Sequence, residues 1–183
     1  MSTPPRAAAA GAPARIVILG AESTGKSTLA ETLARRYGTA WVPEYLREFV
    51  DTMGRVPHEE DQSAIARTQR AREDALAAHA RGILFCDTTP LMTAVYSRVY
   101  WGRVAPDLLA LEAAHDYALT LVAAPDLPWV PDGLQRESEA VRQRVHAQLL
   151  AALDQRGIPF TLVSGELAQR VRQVEDLIEA GQL

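Results

Sequence analysis

Short apolar runs alternate along this chain with longer stretches in which apolar residues recur every three or four positions. The continuous runs are typical of buried strands, and they occupy residues 16–19, 83–86, 119–122 and 160–163; residues 39–43 are also predicted to form a short strand. Helical spacing predicts helices over residues 29–37, 45–52, 58–81, 90–100, 106–115, 141–153 and 167–178. Gly38 and Gly82 are expected to end the first and third of these helices. Alternating strands and helices predict a parallel sheet covered on both faces.

Two segments fall outside this pattern. Residues 1–14 consist mostly of Pro, Ala and Gly, and we expect them to form a disordered tail. Residues 123–139 contain three prolines and one glycine and are predicted to form a loop or mobile lid. No other change in composition divides the chain, so residues 15–183 are expected to form one domain.

Composition narrows the class of protein. Of 183 residues, 48% are hydrophobic and 23% charged, which is typical of a folded globular domain. A net charge of -4 argues against a broadly basic nucleic-acid surface, and a single cysteine, Cys86, excludes a disulfide scaffold. Because no apolar run approaches 18 residues, we expect no membrane span. We therefore expect a cytoplasmic protein, monomeric or homodimeric, that binds neither nucleic acid nor membranes.

The clearest chemical signal follows the first predicted strand. Residues 20–27 read Gly-Ala-Glu-Ser-Thr-Gly-Lys-Ser, the P-loop pattern of nucleoside triphosphate sites, and Lys26 is the only lysine in the chain. The glycines let backbone N–H groups approach phosphate oxygens, Lys26 is expected on the β- and γ-phosphates, and Ser27 is expected on Mg²⁺. The fold class predicted from this motif is a P-loop NTPase three-layer sandwich, with a five-stranded parallel sheet, helices on both faces and a mobile lid.

ATP is the expected nucleotide, because the Asn-Lys-x-Asp element of guanine-specific proteins needs an asparagine and this chain has none. The nucleotide is expected to contact the P-loop and an arginine after it, a set made up of Gly20, Glu22, Ser23, Thr24, Gly25, Lys26, Ser27, Thr28 and Arg142.

Two carboxylates directly follow predicted strands. In a parallel sheet, ligands bind at the carboxyl ends of the strands. Asp87 has the position of an acid that holds Mg²⁺ together with Ser27, although the sequence Asp-Thr-Thr-Pro equally favours an N-cap for the next helix. Glu44 is a candidate general base, with Arg47 three residues later to orient substrate or phosphate. The alternative for this pair is a first-turn glutamate that meets an arginine on the helix surface.

Other candidates are arginines near the predicted lid and aromatic residues near strand ends. Arg136, and after it Arg142, could stabilise the charge of a transferring phosphoryl group, whereas most helical arginines are simply solvated. Tyr45, Tyr100 and Trp101 could stack on a heteroaromatic substrate, although such residues more often belong to the core.

Four segments together resemble one family. They are Gly-Ala-Glu-Ser-Thr-Gly-Lys-Ser-Thr, Glu-Tyr-Leu-Arg-Glu-Phe, Phe-Cys-Asp-Thr-Thr and Trp-Val-Pro-Asp-Gly-Leu-x-Arg, and they span nearly the whole chain from Arg15. They resemble the ribosylnicotinamide kinase domain of NadR-type NAD-biosynthesis proteins, which often carry an AAA-family ATPase description.

The resemblance implies ATP- and Mg²⁺-dependent phosphorylation of the 5′-hydroxyl of nicotinamide riboside. By position, it implies that Lys26, Glu44, Asp87 and Arg136 are catalytic and that Ser27 and Asp87 bind the metal. It further implies a substrate side formed by Glu44, Tyr45, Arg47, Asp87, Tyr100 and Trp101.

The chain also departs from NadR-type proteins. Those proteins usually carry an adenylyltransferase domain and often a DNA-binding domain ahead of the kinase, and with about 14 residues before the first strand we expect neither here. The predicted lid reads Gly-Leu-Gln-Arg136, one residue longer than the family pattern. A kinase of another nucleoside or small alcohol, or a regulatory ATPase module, stays open as an alternative.

Overall fold

The computed structural model describes residues 11–130 and 138–183. Within them the strands are β1 (Ala14–Leu19), β2 (Trp41–Val42), β3 (Ile83–Asp87), β4 (Leu119–Ala123) and β5 (Thr161–Val163). The helices are α1 (Lys26–Tyr37), α2 (Tyr45–Met53), α3 (Gln62–Ala77), α4 (Pro90–Trp101), α5 (Pro106–Ala113), α6 (Glu139–Gln155) and α7 (Leu167–Glu179). A 3₁₀ turn, Glu59–Asp61, precedes α3.

The five strands of the described chain form one parallel sheet in the order β2-β3-β1-β4-β5. The central strand β1 pairs on both sides, with Ile16 opposite Phe85 of β3 and Leu119 of β4. Because parallel neighbours need crossover connections, each strand is followed by helical segments that return the chain to the same edge. The prediction of a five-stranded parallel sheet is confirmed.

Helices cover both faces of the sheet. Val17 and Leu19 of β1 face one side, where they pack with buried residues of α4 and α6. Ile16 and Ile18 face the other side and pack with α1 and α7. Neighbouring strand residues point to opposite faces, so an uninterrupted apolar run such as 16–19 serves both layers of core. The predicted three-layer sandwich is confirmed.

The third predicted helix is wrong at both ends. It begins after a 3₁₀ turn, where the Asp61 carboxylate accepts a hydrogen bond from the His58 N–H at 2.7 Å. It ends at Ala77, and the chain then turns into β3. The Thr39 hydroxyl holds this turn, because it accepts from the Arg81 N–H and donates to the Ile83 carbonyl. Gly82 lies in the turn, whereas Gly38 does end α1 with φ 61°.

The sheet brings the predicted site residues to one edge. β1 leads into the glycine-rich loop, β2 leads to Glu44, and β3 ends on Asp87. In the parts of the chain that are described, no helix combines the length and apolar character needed to cross a membrane.

Candidate active site

The loop between β1 and α1 has a backbone that requires its glycines. Gly20 has φ 151° and Gly25 has φ 77°, backbone torsions that residues with a Cβ rarely adopt. A Cβ on Gly20 would lie 3.1 Å from the Ala123 carbonyl oxygen and 2.9 Å from Thr24 Oγ1. Ser23 also has a positive φ, 52°. These torsions wrap the loop tightly ahead of α1, the shape in which backbone N–H groups converge on an anion.

The N-terminus of α1 completes this cradle. Gly25 is its N-cap, and no side chain caps the first turn, so the helix presents backbone N–H groups and its positive dipole end. Lys26 is buried in the first turn, and its Nζ donates to the Ala21 carbonyl at 3.1 Å. Thr28 lies in the same turn and is exposed. The loop and helix end can therefore hold phosphate groups.

Two other loop side chains are occupied within the protein. The Thr24 hydroxyl donates to the Ala21 carbonyl at 2.8 Å, and the Ser23 hydroxyl donates to the Val130 carbonyl at 2.8 Å. Their hydroxyls stabilise the loop conformation. Ser23 and Thr24 can therefore contact a phosphate through their backbone N–H groups.

Asp87 and Ser27 meet beside the loop. The Ser27 hydroxyl donates to Asp87 Oδ2 at 2.5 Å, and Asp87 Oδ1 is buried without a hydrogen-bond partner among the described residues. Burial, and then the nearby Glu44 charge, raise the pKa of Asp87 to about 6, while Lys26, the Ser27 hydrogen bond and Arg47 oppose the rise. A buried carboxylate oxygen without a donor, next to a serine hydroxyl, fits a hard cation such as Mg²⁺.

The alternative role of Asp87 as an N-cap is wrong. The N-cap of α4 is Thr89, whose Oγ1 accepts from the Leu91 N–H at 3.1 Å. Thr88, between the two residues, has φ 71°, an unfavourable torsion for a β-branched residue. This sharp turn separates the end of β3 from α4, so the Asp87 side chain takes no part in capping the helix.

Glu44 lies near enough to Asp87 for its charge to raise the pKa of that carboxyl. It is the N-cap of α2 without making a side-chain cap bond, and its side chain lines a cavity. Arg47 is exposed on the first turn of α2, and its charge lowers the pKa of Asp87. Tyr45 is directed elsewhere, since its ring lies under the Arg72 guanidinium, 4.6 Å from ring centroid to Cζ. Of the predicted substrate-side residues on α2, Glu44 is the one that lines the cavity.

The cavity holds about 490 Å³ and adjoins both the glycine-rich loop and the end of β3. Glu22 and Glu44 supply its carboxylates, and Thr88 lies at the β3 end. The aromatic residues Tyr96, Tyr100 and Trp101 line another part, with Tyr96 and Tyr100 stacked at 6.1 Å between ring centroids. The remaining lining residues are Leu46, Val56, Pro57, Gln62, Ile65, Gln69, Met92 and Thr93.

Several of these residues escaped the sequence prediction. Tyr96 precedes the predicted Tyr100 by one helical turn, and that spacing could have identified it. Gln62 and Gln69 carried no comparable signal, because a glutamine on a polar helix resembles an ordinary surface residue. Glu22 was predicted to bind the nucleotide, and it lies in the cavity wall.

Arg142 is buried and binds the protein backbone. Its Nη1 donates to the Leu127 carbonyl at 2.8 Å and to the Ser23 carbonyl at 3.3 Å, and its Nη2 pairs with Glu139 at 2.7 Å. Arg142 therefore fixes the glycine-rich loop against the segment after β4. Arg136, the other predicted lid arginine, lies outside the described residues.

Arg170 was missed by the sequence analysis. Its guanidinium donates to the carbonyls of Thr24, Ala124 and Gly165 and pairs with Asp126. Like Arg142, it attaches the glycine-rich loop to the chain after β4. A single helical arginine carried no sequence signal for this role, because Thr24 and the Ala124–Asp126 segment are distant from it in the sequence.

Relatives and solved structures resemble this chain over most of its length. The trifunctional NAD biosynthesis/regulator protein NadR of Salmonella typhimurium is 31% identical over 144 residues, which are 75% of this chain and 35% of that protein. The chain thus spans little more than a third of its curated relatives. Crystal structures of NadR protein in complex with NR, and with NAD and AMP-PNP, match at TM-scores of 0.75 and 0.74. Each is 23% identical in sequence to this chain, and each match covers 92% of this chain and 49% of the NadR chain.

The structural matches establish the fold. A family model also matches the sequence itself. That model, described as an AAA domain, matches residues 15–170 and so includes the glycine-rich loop, Glu44, Asp87 and Arg142. Because the match covers most of the chain, this chain belongs to the AAA domain family.

Proposed function

We propose that this chain is an ATP-dependent kinase that phosphorylates the 5′-hydroxyl of nicotinamide riboside and yields nicotinamide mononucleotide, a step of NAD salvage. The observation that carries the proposal is the junction of two sites. A phosphate-binding loop opens onto a cavity lined by two carboxylates and three aromatic rings. A kinase needs such a junction to bring an acceptor hydroxyl to the terminal phosphate.

The cavity chemistry supports nicotinamide riboside as the acceptor. Its nicotinamide ring carries a positive charge, and the described lining residues include Glu22 and Glu44 but no lysine or arginine. The rings of Tyr96, Tyr100 and Trp101 offer stacking and cation–π contacts to a cationic heteroaromatic ring. The likeness to a NadR structure with NR bound supports the same acceptor.

ATP is the proposed phosphoryl donor. The P-loop supplies backbone N–H groups, and Lys26, whose ammonium lies in the first turn of α1, can turn from the Ala21 carbonyl toward phosphate oxygens. The structural match to a NadR complex with AMP-PNP supports an adenine nucleotide. Arg47 and Arg136 are the arginines proposed to act on substrate or phosphate, and Arg142 supports the loop from behind.

Ser27 and Asp87 are the residues proposed to hold Mg²⁺, together with the phosphates. The described residues contain no cluster of three metal-binding His, Cys, Asp or Glu side chains, which agrees with a metal held largely by nucleotide and water. When bound, Mg²⁺ neutralises charge on the phosphate oxygens.

Glu44 is the proposed general base. As the acceptor oxygen forms its bond to the γ-phosphorus, the hydroxyl proton passes to the Glu44 carboxylate. The bond between the γ-phosphorus and the bridging oxygen breaks, and ADP leaves with the bonding electrons. Asp87 is less suited to this task, because its Oδ2 already accepts from Ser27 and Mg²⁺ is proposed to take its Oδ1.

Replacement of Glu44 tests the kinase against a regulatory ATPase module. We expect Glu44→Gln to lower kcat for nicotinamide riboside by about 10²- to 10⁴-fold, since it removes the base and keeps the shape. ATP affinity, measured by calorimetry, should stay near the parental value, because Glu44 lies on the acceptor side. Asp51→Asn removes an exposed carboxylate from the same helix and serves as the control. Parental turnover by Glu44→Gln would contradict the kinase assignment.

A further inference from the structure

Gln69 joins the backbone beside Glu44 to the backbone of Asp87. It lies on α3, is 2% exposed, and reaches between the start of α2 and the end of β3. Its amide makes one hydrogen bond to each. Oε1 accepts from the Tyr45 N–H at 2.8 Å, and Nε2 donates to the Asp87 carbonyl at 3.3 Å.

The first of these bonds supplies an acceptor for the first N–H of α2. The first-turn N–H groups of a helix have no intrahelical acceptor, and an N-cap side chain serves only those of the second and third residues. Glu44 is the N-cap of α2 but makes no such bond, and Gln69 provides the acceptor from a neighbouring helix. The Glu44 side chain, which makes no cap bond, lines the cavity.

The position of α2 depends strongly on such contacts, because the helix buries no residue of its own. β2 and β3 remain paired as far as Val42 and Cys86, after which the chain leaves the sheet for Glu44. Beyond that point, side chains of α3 reach α2 through the Gln69 bond and through Arg72, which pairs with Glu48 and covers the Tyr45 ring. Of these, Gln69 alone also contacts Asp87 among the described residues.

We propose that Gln69 is a positioning residue that fixes Glu44 relative to Asp87 for phosphoryl transfer. One rigid amide group bonds to both sides, so the separation of the two acidic residues is set by the geometry of a single side chain. This role rests on the proposed kinase function and adds to it a residue that acts through others. Each end of the amide holds one backbone segment, so the proposed role of Gln69 is to act through Glu44.

Gln69→Met tests the proposal by removing both bonds at nearly constant volume. We expect kcat for nicotinamide riboside to fall about 10- to 100-fold, as expected for a misplaced catalytic group, with KM for ATP and acceptor little changed. Gln173→Met is the matched control, because the Gln173 amide also bonds one backbone N–H and one carbonyl, both of Ser164, and lies on α7. Parental kcat in Gln69→Met, or a raised acceptor KM in place of a lowered kcat, would overturn the proposal.

Hydrogen exchange supplies a readout that needs no activity. The Tyr45 amide should exchange faster in Gln69→Met and at the parental rate in Gln173→Met, because only the first variant removes its acceptor. If the parent transfers no phosphate, the proposed kinase function fails, but this measurement still tests whether Gln69 holds the start of α2. An unchanged exchange rate at Tyr45 would contradict the bond from Tyr45 to Gln69, and with it the positioning role.

A second variant, Gln69→Glu, tests the proposal if Gln69→Met proves unstable. A double variant tests the link to Glu44. Gln69→Glu, ionised, keeps the acceptor for Tyr45 and loses the donor to Asp87, so it should retain Tyr45 protection and lose turnover. In a Glu44→Gln background, Gln69→Met should cost no further activity, since the group that it positions is already absent. Fully multiplicative losses in that double variant would refute action through Glu44.

Discussion

Arg142 and Arg170 each pair with a carboxylate and also donate to backbone carbonyls. Together they hold the carbonyls of Ser23 and Thr24, the two central residues of the glycine-rich loop, against the segment after β4. A planar guanidinium presents several donors in a fixed arrangement, so one side chain can join carbonyls from two segments. The phosphate-binding shape of the loop is therefore supported from outside the motif.

Arg142→Ala should destabilise the fold, because it leaves the partly buried carbonyls of Ser23 and Leu127 without this donor. We expect a loss of about 2 to 3 kcal/mol in the free energy of unfolding, measured by urea denaturation. Arg142→Lys should restore less than half of it, since an ammonium cannot reproduce the planar fork.

The control for this prediction is Arg144→Ala, two residues along α6, where the side chain is exposed. It should change the free energy of unfolding by less than about 0.5 kcal/mol. Equal losses in the two alanine variants would contradict the anchoring role of Arg142.

At the residue scale, the sequence could predict what depends on local spacing. The P-loop pattern identified Gly20, Gly25, Lys26 and Ser27, because the torsions and the helix N-terminus that it needs arise within eight residues. It could not predict that Arg142 binds the Ser23 carbonyl, a partner 119 residues away. For the same reason Glu22, which looked like part of a nucleotide loop, gave no sign that it lines the cavity.

Among the elements, α3 connects the most parts of the site and of the core. Gln69 lines the cavity, while Glu73, one turn later, is fully buried. The Tyr117 hydroxyl donates to the Glu73 carboxylate, and Arg15 and Arg70 approach it at 3.5 and 3.7 Å. Asp116, which pairs with Arg70, adds a negative charge nearby. Burial outweighs these contacts and raises the pKa of Glu73 from 4.5 to about 7.

This shift predicts a pH dependence of stability. The folded chain binds the Glu73 proton more tightly than the unfolded chain, so the contribution is fully present below about pH 4.5 and is lost as the pH rises through about 7. The parent should lose on the order of 3 kcal/mol relative to Glu73→Gln across that window. Urea unfolding of both proteins at matched pH values measures the difference, in which other titrating groups cancel. A difference that is constant, or that grows in favour of the parent with rising pH, would contradict the prediction.

Helix boundaries show where periodicity stops being informative. Gly38 ended α1 as predicted, because the glycine there has the left-handed torsion that closes a helix. The helix predicted to end at Gly82 stopped at Ala77, since the Thr39 hydroxyl binds the chain that enters β3. A tertiary contact from 42 residues away thus overrides the local stop signal.

On the scale of the whole molecule, the parallel sheet explains why separate motifs form one site. β1, β2 and β3 are adjacent in the sheet and point the same way, so the glycine-rich loop, Glu44 and Asp87 come together at their carboxyl ends. The order of buried runs and helices predicted this edge. The volume and lining of the cavity, which decide the acceptor, depend on how α2, α3 and α4 pack, and no motif encodes that packing.

The formation of nicotinamide mononucleotide is the most direct test of the central claim. Purified protein with ATP and Mg²⁺ should convert nicotinamide riboside to its 5′-phosphate, detected by mass spectrometry, with one ADP released per product. Its kcat/KM should exceed that for the uncharged dihydro form of the same riboside by about tenfold or more, since the aromatic and acidic lining favours a cationic ring. ADP release that does not depend on any acceptor, with no phosphorylated riboside formed, would contradict the account.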